Sequence, residues 1–287
     1  MHGRRAAIAV IIGLLMGCLG ATASAESHEL NIDGFSSCLR QTLRAPDLTA
    51  LETNYGFGFG DGFLSYLAVY PGHRIPGESA RRQARGFDRW SEDLGAPAAT
   101  LANNLVAAAA SGQSIYPTQV LALADDACLH RDDFCAALVA HNVLRAFARY
   151  PESILVDPDT GDTVDHNPAW FQYQRQTYLA ALPALGDALI SLQTDGGGDR
   201  WGDWYHFFGI FAYSLHEMAM DGNLAGAELA VRANQLFNPI LVGEPEDPHK
   251  ARMDRDAVEV ARRFLSDEQT STGIACDESD AYTDTGA

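Results

Sequence analysis

The sequence predicts an all-α protein, an irregular orthogonal bundle of about nine helices with one small β-hairpin. Apolar residues recur at three- and four-residue spacing through most of the 287-residue chain. Prolines and cap-forming residues open these runs, and glycines close them. A β-type pattern breaks in at Ile154-Leu-Val-Asp-Pro-Asp-Thr-Gly-Asp-Thr-Val164, where β-formers flank a turn sequence.

Taken in order, the first expected helix is short, around Ser36–Leu43, and carries Cys38. Asn54-Tyr-Gly-Phe-Gly-Phe-Gly-Asp-Gly62 follows, with the backbone freedom of a loop; it lacks the G-x-G-x-x-G context and the lysine that a phosphate cradle needs. Glu78–Leu94 reads as a helix stopped by Gly95, with Arg81, Arg85 and Arg89 on one face and Arg82 beside them. Ala98–Ala110 is an alanine-rich helix closed by Gly112, suited to close helix packing. Pro117 opens Thr118–Leu129 at the position where proline is tolerated, and Asp132 is the expected cap of the helix that runs to Arg149. His141 shares a face there with Phe134, Ala137, Leu138 and Arg145, the setting of a core histidine. After the hairpin, Asn167 and Pro168 open a long helix to about Gln193, with a kink expected at Pro183. Gly196-Gly-Gly198 links to the central stretch Asp203–Met220. Gly222 and Asn223 separate that helix from another running to Asn238, and Asp247-Pro248 opens the last, His249–Leu265.

The N-terminus has the layout of an export signal. Arg4 and Arg5 precede an apolar segment, and Ala23-Ser-Ala25 offers a cleavage site. Residues 1–25 are therefore assigned to the signal, 26–265 to a single helical domain, and 266–287 to an acidic tail that is largely disordered and tethered at Cys276. A lipid anchor on Cys18, within Leu15-Met-Gly-Cys18, is the alternative to cleavage after Ala25. No later segment has the apolar length of a membrane span, so the expected product is a soluble periplasmic or secreted protein. Lys and Arg number 20 against 38 Asp and Glu, and two arginines leave with the signal, so the mature chain carries 18 − 38 = −20. A field of that sign repels phosphate backbones, which excludes nucleic acid as the expected partner. The partner classes left are a small ligand or an envelope or extracellular protein.

Four cysteines follow the signal, and an even count in an exported chain reads as disulfides: Cys128–Cys135 and Cys38–Cys276 are the expected pairs. Seven residues along a continuous helix span about 10 Å, too far for a disulfide, so the first pair requires a turn within Leu129–Asp133. Cys128-Leu-His-Arg-Asp-Asp-Phe-Cys135, with the glycine-rich run, resembles in outline the active-site helix and calcium loop of secreted phospholipases. Those enzymes need His followed directly by Asp; Arg131 follows His130 here, so no activity is carried over. Asp157, Asp159 and Asp162 leave calcium as an open alternative, although the spacing departs from an EF-hand loop, with Gly161 at the fifth position and Asp162 at the sixth.

The candidate site lies in Asp203–Met220, the most aromatic run of the chain. At 100° per residue, Phe207, Phe208, Phe211, Ala212, Leu215, Met218 and Ala219 fall on one side. His206, Tyr213 and Glu217 stack on the other, with Asp203 and His216 at the margins. As a catalytic set, His206 or Glu217 would act as general base, Tyr213 as donor to an oxyanion, and Asp203 as the group that orients the imidazole. The competing expectations are a solvated helix face and a buried structural network. His216-Glu-Met-Ala-Met220 falls short of the zinc-protease H-E-x-x-H pattern, and no G-x-S-x-G elbow occurs. No cofactor or metal is assigned. The functional expectation is a binding or interaction module, with a hydrolase acting through the His206/Tyr213/Glu217 stripe as the alternative.

Overall fold

A computed structural model describes residues 28–43, 94–130, 133–150, 154–156, 161–165, 167–190, 200–229, 231–232, 248–266 and 282–284. Residues 1–25 of the expected export signal, the glycine-rich run at 54–62, the helix expected at 78–94 except Leu94, the expected cap Asp132, Asp157, Asp159 and Cys276 lie outside the described residues. The fold is all-α. Its elements in chain order are β1 (His28–Leu30), α1 (Ile32–Thr42), α2 (Gly95–Ala110), α3 (Pro117–Ala127), α4 (Asp133–Ala148), β2 (Ile154–Val156), β3 (Thr163–Asp165), α5 (Ala169–Tyr173), α6 (Arg175–Ala188), α7 (Arg200–Asp221), α8 (Pro248–Leu265) and β4 (Tyr282–Asp284).

Two helices form the centre. Between Phe134 and Phe147, α4 is buried at nearly every position, because its sequence is apolar all round. Helix α7 packs along it, antiparallel: Phe134 near the start of α4 faces His216 near the end of α7, while His141 faces Tyr205. Helix α8 covers another side of α7, where Phe211 meets Phe264 edge to face, and α1 reaches the same core through Phe35 against Phe207. Burial of Phe207, Phe208 and Phe211 stabilises this arrangement by about 2–3 kcal/mol each. A second aromatic cluster, Phe147, Trp170, Phe171 and Tyr178, fills the space between α4, α5 and α6. Small residues of α2, at Ala98, Ala102 and Ala109, let that helix lie close against its neighbours α3, α4 and α6.

Several boundaries depart from the sequence expectation. Helix α2 begins at Gly95, three residues before the expected start at Ala98. The break in the 168–193 region falls at Gln174, and Pro183 sits inside α6. Asn167 does not cap α5; its side-chain amide donates to Asp165 Oδ1 at 2.9 Å, and Pro168 stands at the cap position. Helix α1 starts earlier than expected because the Asn31 side chain caps it, accepting from the Gly34 N–H. Strand β2 pairs antiparallel with β3, Leu155 opposite Val164.

The ends of the described chain meet. Strand β1 pairs antiparallel with β4, Leu30 opposite Tyr282, so three residues of the acidic tail are held in a sheet. Cys38 in α1 is disulfide-bonded, with a partner outside the described residues. Cys128 and Cys135 form a disulfide with a Cα–Cα distance of 6.2 Å. The chain shortens that span by turning at Leu129 and His130, both in the left-handed region at φ 58° and 53°. A non-glycine residue there costs about 1–2 kcal/mol. The His130 ring offsets part of that cost through its Nδ1, 2.6 Å from Asp125 Oδ2.

Candidate functional site

Helix α7 positions the candidate residues, and it does so inside the protein. From Trp204 to Glu217 every residue but His206 is buried. The polar stripe is therefore not a wet face, because α4 and α8 flank the helix and the helical turn at 225–229 closes over its far end. Gly222, at φ +66°, ends α7 and lets the chain fold back, and the Asn223 side chain accepts from the Ala225 N–H at the start of that turn.

His206 retains partial access to solvent, its side chain being 15% exposed. Its Nδ1 lies 3.6 Å from Oδ1 of Asp254, a carboxylate of α8 that is 1% exposed. That is ion-pair contact, longer than a hydrogen bond. The ring also packs against its neighbour Tyr205, centroids 4.6 Å apart. Behind Tyr205 lies His141 of α4, whose Nδ1 donates to the Tyr205 carbonyl at 2.7 Å. A carbonyl only accepts, so this bond fixes the proton on Nδ1. Burial pushes the His141 imidazole down to about 4; the bond to the Tyr205 carbonyl works against that shift, and the charge of His206 adds to it. One turn along α4, burial likewise lowers Arg145 to about 9.

Glu217 belongs to a separate cluster. Its Oε1 is 3.8 Å from Nδ1 of His216, both side chains are nearly buried, and the carboxylate lies hard against the backbone of Gly226. Phe134 of α4 faces His216 with ring centroids 6.3 Å apart. Eleven residues of helix separate Glu217 from His206, about 16 Å along the axis. Tyr213 lies buried between them. The structure thus places His206 with Asp254 and Glu217 with His216, at two ends of one helix. Asp203 is within α7, but its side chain lies outside the described residues.

The carboxylate that faces His206 is thus one the sequence reading did not pick out. Asp254 had a signal: it occupies an apolar-stripe position of α8, in line with Ala257, Val258, Ala261 and Phe264. A carboxylate in such a place is buried and therefore paired. Chemically, the His206–Asp254 pair can orient an imidazole. The Ser214 hydroxyl of α7 is fully buried and donates back to the Ile210 carbonyl at 2.7 Å. Among the described residues no group of three His, Cys, Asp or Glu side chains could hold a metal ion, and no helix is long and apolar enough to cross a membrane. Comparisons with protein-family models, curated proteins and solved structures find no match to this chain.

Proposed function

We propose that this chain is an exported helical module that binds a small ligand or an envelope or extracellular partner, and that the polar groups of α7 serve it as a structural network. The observation that carries this reading is the division of the stripe: His206 and Glu217 face different partners about 16 Å apart, in surroundings that exclude most water. A catalytic set needs its groups within hydrogen-bond reach of one reacting atom, and these two are not. Urea unfolding of His206→Ala tests the reading. The expected result is a loss of about 1–3 kcal/mol, from the Asp254 carboxylate left in the core beside a vacated position. Unchanged stability with loss of a ligand or of turnover would overturn it. Export is tested by mass spectrometry of the cell-made protein: the expected N-terminus is Glu26, and an acylated Cys18 would replace the secreted form with an anchored one.

One observation favours the alternative, a hydrolase. His206 is the partly exposed member of the stripe, and its Nδ1 faces a buried carboxylate, the arrangement that holds an imidazole ready as a general base. On that reading Asp254→Asn lowers turnover of ester or amide substrates by orders of magnitude while the fold persists, and an inactive wild type toward both classes would remove it.

A further inference from the structure

The segment that leaves strand β3 and enters α6 differs in chemistry from the rest of the chain. The protein has 38 acidic side chains against 20 basic ones, yet from Asn167 to Gly186 the only charged residue is Arg175. That charge is met. The Arg175 guanidinium pairs with the Asp165 carboxylate and lies over the Tyr150 ring, 5.5 Å from its centroid. What the segment shows to solvent is aromatic and amide. Tyr173 at the end of α5 is 90% exposed, and Trp170, one turn earlier on the same side of the helix, is half-buried. Phe147 and Phe171 hold the Trp170 ring edge to face, and Gln172, Gln176 and Thr177 beside it are exposed. Two polar atoms at the margin of this face have no hydrogen-bond partner among the described residues: Oδ1 of Asn167 and Nε of Arg175. Asn167 is 4% exposed, and both its N–H groups are engaged with Asp165 Oδ1 at 2.9 Å. One unused atom is an acceptor and the other a donor, and their side chains flank the same carboxylate. The exposed Gln172 reaches in beside them, donating to the Asn167 carbonyl at 2.6 Å.

We propose that this face, formed by Trp170, Gln172, Tyr173 and Gln176 with Asn167 and Arg175 at its edge, binds a neutral polysaccharide. The proposal rests on the reading of the chain as an exported binding module and names the partner's class. A sugar ring packs the C–H bonds of one face on an aromatic ring and carries hydroxyls around its rim that both donate and accept. Glutamine amides likewise hold a donor and an acceptor, so they match neighbouring hydroxyls without charge. A hydroxyl in place of the Gln172 amide would accept from Arg175 and donate to Asn167 Oδ1, meeting two groups that burial otherwise leaves unsatisfied. The charge balance selects the occupant. An anionic glycan is repelled by a chain of net charge −18, and a cationic partner finds its carboxylates elsewhere than on this uncharged face. A protein partner anchors on a broader apolar patch than one tyrosine and one half-buried tryptophan.

Affinity electrophoresis of the intact, oxidised protein tests this, in native gels that contain dextran, mannan, galactan or xylan, with alginate as the anionic comparison. At least one neutral polysaccharide should retard the wild type, and alginate should not. Tyr173→Ala should weaken the apparent Kd by about 10-fold and Gln176→Ala by about fivefold, the loss of one aromatic contact and one hydrogen bond. Tyr173 touches solvent over most of its surface, so Tyr173→Ala should keep the wild-type Tm. Retardation by none of the neutral polysaccharides overturns the proposal, as it would if the face took a protein instead. Equal retardation by alginate, or retardation undiminished in Tyr173→Ala, also overturns it. His206→Ala separates this outcome from that of the structural network. Glycan binding that persists in His206→Ala leaves the face standing whatever that variant does to stability, and glycan binding lost there at unchanged stability places the site on α7 and refutes both readings.

Discussion

Replacing Gly226 with alanine reads out the position of Glu217 through the sign of a stability change. Gly226 lies in the helical turn after α7, where alanine is ordinarily favoured over glycine by about 0.8–1 kcal/mol. Here a Cβ would overlap Oε2 of Glu217 and stand 2.7 Å from its Cδ and 3.4 Å from its Cγ. The carboxylate is nearly buried and lies beside His216, so it cannot swing aside without leaving that partner or displacing the turn. Overpacking of this kind costs about 1–3 kcal/mol, which outweighs the gain in helix propensity. Gly226→Ala should therefore destabilise the protein by a net of up to about 2 kcal/mol. In a Glu217→Ala background the obstructing atoms are gone, and the same substitution should stabilise by up to about 1 kcal/mol. Urea denaturation of the four proteins closes the double-mutant cycle, with an expected coupling of about 2–3 kcal/mol. A coupling under about 0.5 kcal/mol would show that Glu217 does not occupy this place, and the account of the second cluster would fall with it.

Serine at Cys128 and Cys135 should lower stability by about 2–3 kcal/mol, the chain-entropy value for so short a loop, measured by chemical denaturation against the oxidised parent. Trp204→Phe removes the indole N–H that donates to the Ile190 carbonyl at 3.1 Å, and should cost about 1 kcal/mol by the same assay. Phe207→Ala opens a cavity where Phe35, Trp204, Phe208 and Phe211 converge, and should cost about 3–5 kcal/mol, seen as a large drop in Tm; a loss under 1 kcal/mol would mean that α7 is not the centre of the core.

Helix starts were legible where side chains signal them locally. Pro117 opens α3, and the apolar run from Phe134 to Phe147 identifies α4. The Cys128–Cys135 disulfide was legible from the even count of cysteines after an export-like N-terminus, and helix arithmetic then required the turn between them. Local signals failed where another contact competed for the same group. Asn167 looks like a cap but is drawn to Asp165, and the helix break at Gln174, which no proline or glycine announces, comes with Phe171 and Tyr178 packing together against Phe147. The pairing of β1 with β4 joins residues more than 250 positions apart, and no periodicity in a polar tail announces it.

The stripe on α7 shows most clearly what angular arithmetic can and cannot deliver. The 100° period places His206, Tyr213 and Glu217 on one side of a helix, and nothing in that period says how far apart they stand along the axis or what covers them. Composition carried the missing information. From Trp204 to Met218 the polar side chains are few, and a helix so apolar buries all its faces rather than one. Once every face is buried, each titratable group must find its own partner, because an unpaired one costs more than a single hydrogen bond returns. Asp254 for His206, His216 for Glu217 and the Tyr205 carbonyl for His141 are the partners that the packing provides. The same burial that gives each group its own partner argues against one shared catalytic centre, so the structural network follows from the apolar composition of α7 and of the helices packed on it.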